Sequence, residues 1–475
     1  MPDMSESLHY LTATEAMKMF RSREISPVEL MEAVIARSEV CEPELNAFSH
    51  TYFEQAIDAA RASEARYARG EPCGALDGLP LGMKDEIEVS GQPVTEGSLL
   101  YENRIAEKDA VLVERLRSAG AIFHARTTCP EFCSLWNTQS RLFGVTHNPW
   151  NLDVTPGGSS GGSGAALAAG TAMLATGSDI GGSIRFPASM SGVVGFKPPY
   201  GRVPETMEPF NLEPYCANGP MARTVADTAL MQNAISGAHP ADAASMLPRV
   251  EIPLSFPDNL EGTRIAYTLN FEYLDIEDDI ARNTLDAIER LRTLGAEVIE
   301  VQLNFPAGIE RAYYGHMDPM FFASIAGKMK EHRELLCDYN IQMAEEAMQR
   351  LEDKAAFYQA ALVESQMYAR FGALMEEFDV LVCPTVLTNR LAADFNPVKD
   401  DYIVKGKVKE FDLSVSTCHL FNMMGRCPAI SVPSGIGDNG VPTGLQVAAK
   451  AYDDIAVFRV AAAFESTWER PFRPE

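Results

Sequence analysis

The run from Pro156 to Gly164 (PGGSSGGSG) constrains this chain more than any other segment. Glycine and serine bring little side chain to bury, so such a run on its own reads as a flexible linker. Linkers are normally flanked by polar sequence. Here Ala165 to Ala169 follows at once, and Met173 to Thr176 then reads as a buried strand. The run is therefore expected inside a folded unit and not between two units.

The surrounding pattern alternates helices with short apolar strands. Thr12 with Glu15 and Ser26 with Glu29 are spaced as capping boxes, and Pro27 suits the first helical position. Helical periodicity runs from Val28 to about Val40, and a third helix is expected over 52–69 with its stop at Gly70. Strands are predicted around 79–83, 121–125, 264–268, 297–301, 380–382, 429–432 and 445–448, with helices over 111–118 and 280–294. The Met-rich stretch 317–375 reads as helical packing. Helices alternating with buried strands predict an α/β fold, with a mixed, mostly parallel central sheet flanked by helices on both faces.

Composition narrows the function classes. The 475 residues carry 40 Lys and Arg against 66 Asp and Glu, a formal charge of −26. Phosphate backbones are bound by cationic surfaces, so nucleic acid is excluded as a direct ligand. The N-terminus lacks a basic region followed by an apolar one, so no leader peptide is expected. The small apolar run 165–175 is shorter than the ~20 residues a membrane span needs. Nine scattered Cys include Cys129 and Cys133, but no second pair stands at zinc spacing, and no metal or organic cofactor is implied. A cytoplasmic protein is expected. At ~150 residues per domain the length alone would suggest about three domains.

Four motifs fail on inspection. Gly327-Lys328 and Gly406-Lys407 are followed by Met329 and Val408, so there is no P-loop. A dinucleotide fingerprint from Gly162 needs glycine where Leu167 stands. Gly157 to Gly161 formally fits the G-x-S-x-G nucleophile elbow, but 148–156 contains two prolines and makes a poor central strand. No lysine follows a serine at S-x-x-K spacing.

A second glycine-serine cluster, Gly177 to Arg185 (GSDIGGSIR), follows the strand over 173–176. Its adjacent glycines free backbone N–H groups to converge on one point, as in an oxyanion hole or anion nest. The two clusters place Ser159 and Ser183 24 residues apart, downstream of Leu79 to Asp85 (LPLGMKD). With Asn148 to Asn151, Gly219 to Val225, Pro428 to Pro433 and Gly444 to Gln446, this constellation resembles the amidase signature family over nearly the whole chain.

The resemblance implies a Ser–Ser–Lys triad: Ser183 as nucleophile, Ser159 after a cis peptide from Gly158 as proton shuttle, and Lys84 as base. It implies an oxyanion hole from the N–H groups of Ile180, Gly181, Gly182 and Ser183. Asp179 and Arg185 would pin the nucleophile loop as an ion pair. A lysine ammonium is no base, so Lys84 is expected neutral, in a dry pocket beside Leu79, Leu81 and Met83. In an extended segment Asp85 would point to the opposite face. The motifs must meet in one site, which reduces three domains to one over 1–475: N-terminal helices over 1–70, the signature core over 74–230 and the remainder over 231–475.

The implied reaction is hydrolysis of carboxylic amide C–N bonds through an acyl-enzyme, with carbamates (urethanes), anilides and esters in the family's range. The substrate would be a small-molecule amide or carbamate. The pocket wall is expected from 129–137, 204–216 and 313–325, with Trp136, Tyr215, Met320, Phe321 and Phe322 forming an apolar acyl site. Two other readings stand beside this one. One is the glutaminase subunit of a tRNA-dependent amidotransferase, whose Arg-Ile-x-Leu-Gly-Thr-type segment is missing from 355–378. The other is a non-catalytic binding protein on the same fold. The family resemblance also allows a homodimer through the amphipathic N-terminal helices.

Overall fold

The computed structural model describes residues 8–207, 210–245, 249–468 and 472–474. The first seven residues, on which part of the leader-peptide expectation rests, lie outside them, as do 208–209 of the expected pocket wall. Both expected capping boxes form: Thr12 and Ser26 accept from the N–H groups of Glu15 and Glu29, whose side chains accept in return. They open α1 (Ala13–Ser22) and α2 (Pro27–Leu45), which runs past Pro43. After β1 (Phe48–Thr51), α3 (Phe53–Arg69) stops at Gly70, whose φ of 74° suits glycine.

The core continues with β2 (Pro80–Lys84), α4 (Val111–Ser118) and β3 (Ile122–Thr127). A small ribbon pairs β4 (Gln139–Ser140) with β5 (Gly144–Val145). The opening Gly-Ser run leads into α5 (Gly161–Ala169), a helix buried along its whole length. Small side chains allow that burial: a Cβ on Gly164 would stand 2.6 Å from Ser191 Oγ. Then come β6 (Leu174–Asp179), α6 (Arg185–Ser191), β7 (Val194–Lys197), β8 (Ala217–Ala222) and α7 (Val225–Ile235).

The second half adds β9 (Arg264–Tyr267), α8 (Asp278–Thr293) and β10 (Glu297–Glu300). The Met-rich region folds as α9 (Ile309–Met317), a π-helical turn over Asp318–Phe322, α10 (Ala323–His332), α11 (Asp338–Arg350) and α12 (Ala356–Leu374). Next are β11 (Val380–Pro384), a ribbon of β12 (Ile403–Val404) and β13 (Lys407–Val408), and α13 (His419–Met423). The hairpin β14 (Ala429–Ile436) and β15 (Pro442–Ala448) precedes α14 (Asp454–Glu465).

Eleven strands form one sheet in the order β1-β3-β2-β6-β8-β7-β14-β15-β11-β9-β10. This is the single large α/β domain expected from the motifs, with a mixed sheet. Parallel pairing is confined to two blocks, β3-β2-β6 and β11-β9-β10. From β6 through β15 to β11 the neighbours are antiparallel, and a short turn joins β14 to β15 as a hairpin. Strand alternation then sorts side chains to two faces. Val380 and Val382 pack with α8 and α14, while Leu381 and Cys383 face the α9–α12 side. Helices thus cover both faces, and β2 and β6 bring their C-terminal ends side by side beneath the α9–α12 layer.

Candidate active site

Lys84 is the last residue of β2, and its side chain is fully buried. Its ammonium nitrogen lies 2.8 Å from Ser159 Oγ, 2.8 Å from Ser178 Oγ and 2.9 Å from Glu86 Oε1. Ser178 Oγ also donates to Glu86 Oε1. Three acceptors therefore meet three ammonium protons. The Ile87 N–H donates to Lys84 O at 3.1 Å, and this turn folds Glu86 back beside Lys84.

These contacts correct the expectation of a neutral lysine in an apolar pocket. Leu81 and Met83 belong to the core cluster with α1, α2 and α4, while Lys84 faces the serines. Burial disfavours the ammonium, but Cys133 and the Glu86 carboxylate outweigh it and hold the pKa above the ordinary lysine range. Burial likewise raises Glu86, and Lys84 with its hydrogen bonds reverses this, holding the carboxyl below its usual value. Lys84 and Glu86 form an ion pair. Asp85 points away, as expected, and accepts from Ser49 Oγ at 3.1 Å and from the Thr95 hydroxyl at 2.5 Å.

Ser159 follows a cis peptide from Gly158 and is fully buried. Ser183 sits in the loop between β6 and α6, and both serines line one cavity of about 90 Å³. The Ser160 N–H donates to Ser183 O at 3.2 Å, which ties the two Gly-Ser segments together. Among the described hydrogen bonds, none joins the Ser159 and Ser183 hydroxyls, and none is donated by the N–H of Ile180, Gly181, Gly182 or Ser183. Those four N–H groups are unengaged donors at the place expected for an oxyanion hole. Gly182 has φ 142°, and a Cβ there would stand 2.6 Å from Cys418 Cβ. Only glycine fits.

A buried network fixes this loop. Arg185 donates to Asp179 through Nε at 3.0 Å and Nη2 at 2.8 Å, and both side chains are 0% exposed. Asp179 Oδ2 also accepts from the N–H groups of Ile184 and Arg185. Gln446 and Asn422 also accept from the guanidinium, at 2.6 and 2.7 Å. Burial raises Asp179, but Arg185 prevails and holds its carboxyl below the ordinary range.

The cavity has two lobes that meet at Ser183. One contains Glu86, Glu205, Asn218, Phe210 and Ile325. The other contains Trp136, Tyr313, Tyr314, Phe321 and Phe322. Trp136, Phe321 and Phe322 thus line the site as expected, whereas Met320 and Tyr215 are not among its lining residues. Tyr215 stacks behind the wall on His316, at 4.0 Å between ring centroids. His316 bridges Glu213 at 3.0 Å and Glu364 at 3.2 Å, and Tyr215 OH donates to Glu364 at 2.5 Å. Burial lowers the imidazole pKa, but the two carboxylates push it up to about 9. Tyr313 extends the stack and donates to Ile180 O at 3.2 Å. Sequence reading missed Glu86, Ser178 and this His316 network. The two-residue spacing of Glu86 from Lys84 was the one available signal.

The fold and this buried lysine–serine cavity define an amide-cleaving hydrolase. The chain belongs to the Amidase family, whose sequence model matches residues 29–458. It is 35% identical over 468 residues to an acylamidase of Rhodococcus erythropolis, covering 97% of this chain and 96% of that protein. It is 32% identical to a glutamyl-tRNA(Gln) amidotransferase subunit of Chloroflexus aggregans, covering 96% of each. A bacterial aryl acylamidase of the amidase signature family superposes with a TM-score of 0.89 at 28% identity, covering 98% of both chains. A 6-aminohexanoate cyclic dimer hydrolase gives 0.85 at 27%, again over 98% of both. Among the described residues no helix is long and apolar enough to cross a membrane, no acidic, His or Cys group is arranged to hold a metal, and the nine Cys are free thiols.

Proposed function

We propose that Ser183 is the nucleophile, Ser159 the proton shuttle and Lys84 the base of a stand-alone amidase acting on small acyl amides and anilides. The observation that carries the reading is the 2.8 Å contact from Lys84 Nζ to Ser159 Oγ in the cavity that Ser183 lines. Ser183 attacks the substrate carbonyl and passes its proton to Ser159, which passes one to the amine form of Lys84. The N–H groups of residues 180–183 receive the developing oxyanion, a kind of stabilisation worth ~3–4 kcal/mol per donor. Ser159 returns the proton to the leaving amine, and water then clears the acyl-enzyme.

The aromatic lobe beside Ser183 favours an aryl or bulky apolar group on one side of the scissile bond. Carbamates and esters present the same carbonyl and fall within the reading. Nine free thiols suit a reducing compartment such as the cytoplasm.

Purified protein is tested on a panel of aliphatic amides, anilides, carbamates, esters and glutamine. Turnover of anilides, abolished in a folded Ser183→Ala variant together with fluorophosphonate labelling, is the expected result. Retained turnover in that variant overturns the assignment. Glutamine as the sole substrate would support the reading as an amidotransferase glutaminase, which the similarity to the Chloroflexus aggregans protein favours.

A further inference from the structure

We propose that Tyr313 is a positioning residue of the oxyanion hole: its hydroxyl holds the Ile180–Gly181 peptide in the orientation in which the Gly181 N–H serves the oxyanion. This role rests on Ser183 being the nucleophile and on residues 180–183 receiving the oxyanion, as proposed above.

A trans peptide is planar, and its C=O and N–H point in opposite directions. Anchoring the carbonyl therefore fixes the direction of the N–H on the other edge of the same peptide. Three of the four peptides that carry these N–H groups are anchored in this way. Asp179 O accepts from Asn422 Nδ2 at 3.2 Å, which orients the Ile180 N–H. Gly182 O accepts from the Phe186 N–H at 2.7 Å, which orients the Ser183 N–H. Ile180 O accepts from Tyr313 OH at 3.2 Å, which orients the Gly181 N–H. Among the described hydrogen bonds the phenol is the one partner of Ile180 O, and Ile180 O is the one partner of the phenol.

The phenol is well placed for this. Tyr313 is buried, and burial raises its pKa well above the ordinary phenol range, so the hydroxyl stays a donor. The ring is held independently of the hydroxyl. Tyr215 stacks on it at 5.7 Å between centroids, and Tyr314 and His419 meet it edge-on at 5.7 and 6.2 Å. The hydroxyl reaches the loop because residue 181 is glycine: a Cβ there would stand 2.8 Å from Tyr313 Oη.

That same glycine leaves the peptide free to rotate unless something holds it. A rotated Ile180–Gly181 peptide would turn its carbonyl where its N–H is needed and oppose the developing negative charge. Oxyanion stabilisation depends on donors that are already oriented before the reaction. The substrate carbonyl is neutral in the ground state, so loss of the anchor falls on kcat and not on KM.

The test compares wild type with Tyr313→Phe, which removes one oxygen and leaves the stacked ring. The substrates are an anilide, an aryl ester and the matching thionoester, in which C=S replaces C=O. Sulfur is a weak hydrogen-bond acceptor, so the thionoester draws little on the oxyanion hole. Thermal melts establish that each full-length chain is folded. Anilide kcat should fall by about 10- to 100-fold with KM within about twofold, and the ester-to-thionoester ratio of kcat/KM should fall by about the same factor as kcat. A tyrosine that merely shapes the pocket or supports Ser183 would slow both esters alike. An unchanged ratio therefore overturns the proposal, and so does a kcat within about twofold of wild type. If Tyr313→Phe does not fold, Tyr313→4-fluorophenylalanine decides by the same ratio, because its fluorine fills the place of the hydroxyl without donating.

Wild type that labels with a fluorophosphonate but cleaves none of these substrates counts against the proposed function alone. The labelling rate then decides, since the phosphoryl oxygen occupies the place of the oxyanion. A Tyr313→Phe rate lower by about 10-fold or more supports the proposal, and one within about twofold of wild type overturns it. Wild type that neither cleaves nor labels overturns both readings.

Discussion

Replacing Asp179 with asparagine removes one charge and almost no volume, so its effect isolates the ion pair beneath the nucleophile loop. Asp179 and Arg185 are both 0% exposed. The carboxylate accepts from Arg185 Nε and Nη2 at 3.0 and 2.8 Å, from the Ile184 N–H at 3.1 Å and from Asn422 Nδ2 at 2.8 Å. After the change Arg185 keeps its charge in a closed site whose other side-chain partners, Gln446 and Asn422, are neutral. Breaking a buried pair from one side costs ~3–5 kcal/mol. Asparagine keeps one acceptor oxygen, so the lower end, about 3 kcal/mol, is expected. Set against a total stability of ~5–15 kcal/mol, that loss is large.

The chemistry should fall with it. The N–H groups of Ile184 and Arg185 anchor the loop directly after residues 180–183, and loss of one oxyanion donor typically lowers turnover by ~10²–10³. Urea unfolding followed by tryptophan fluorescence reads the first quantity, and fluorophosphonate labelling of Ser183 reads the second. The destabilisation should shrink in acid. Arg185 holds the Asp179 pKa below its ordinary 3.8, so the pair's stabilisation is present above that pH and is lost as pH falls through the lower folded value. A variant within ~0.5 kcal/mol of wild type that labels at the wild-type rate would refute the reasoning.

Two further outcomes are expected. His316, raised from 6.5 to about 9 in the fold, contributes stability that is full below pH 6.5 and is lost as pH rises through about 9. Thermal midpoints should decline across that window in wild type and much less in His316→Gln, and equal slopes would contradict the charged-histidine network. Gly182→Ala places a Cβ 2.6 Å from Cys418 in a backbone conformation of φ 142°, so turnover should drop by at least ~10-fold in a folded protein. Activity within about twofold of wild type would show that the loop tolerates a side chain.

Local chemistry was written plainly in the chain. The capping boxes at Thr12 and Ser26 place two helix starts because each uses partners three residues apart. Helix 111–118 and the strands near 79–83, 264–268 and 297–301 follow from apolar periodicity over a few residues. Glycine content marked the two loops, and the resemblance to the amidase signature family then singled out Lys84, Ser159 and Ser183. Strands β7 and β8 were missed, being short or rich in Gly, Pro and Asn; their places are set by pairing with β6 and β14.

Only the tertiary structure decided the charge of Lys84. Its apolar neighbours in sequence point to a dry environment, but alternate residues of a strand face opposite sides, so those neighbours fill another core. The turn after Lys84 then returns Glu86 to the same side as the lysine. The His316 network likewise joins Glu213, Tyr215 and Glu364 across gaps of roughly 50 to 150 residues. A sequence fixes which side chains are available and which local turns they favour. The protonation of a buried group depends on the charges within a few ångströms of it, and those distances exist only once distant segments have packed.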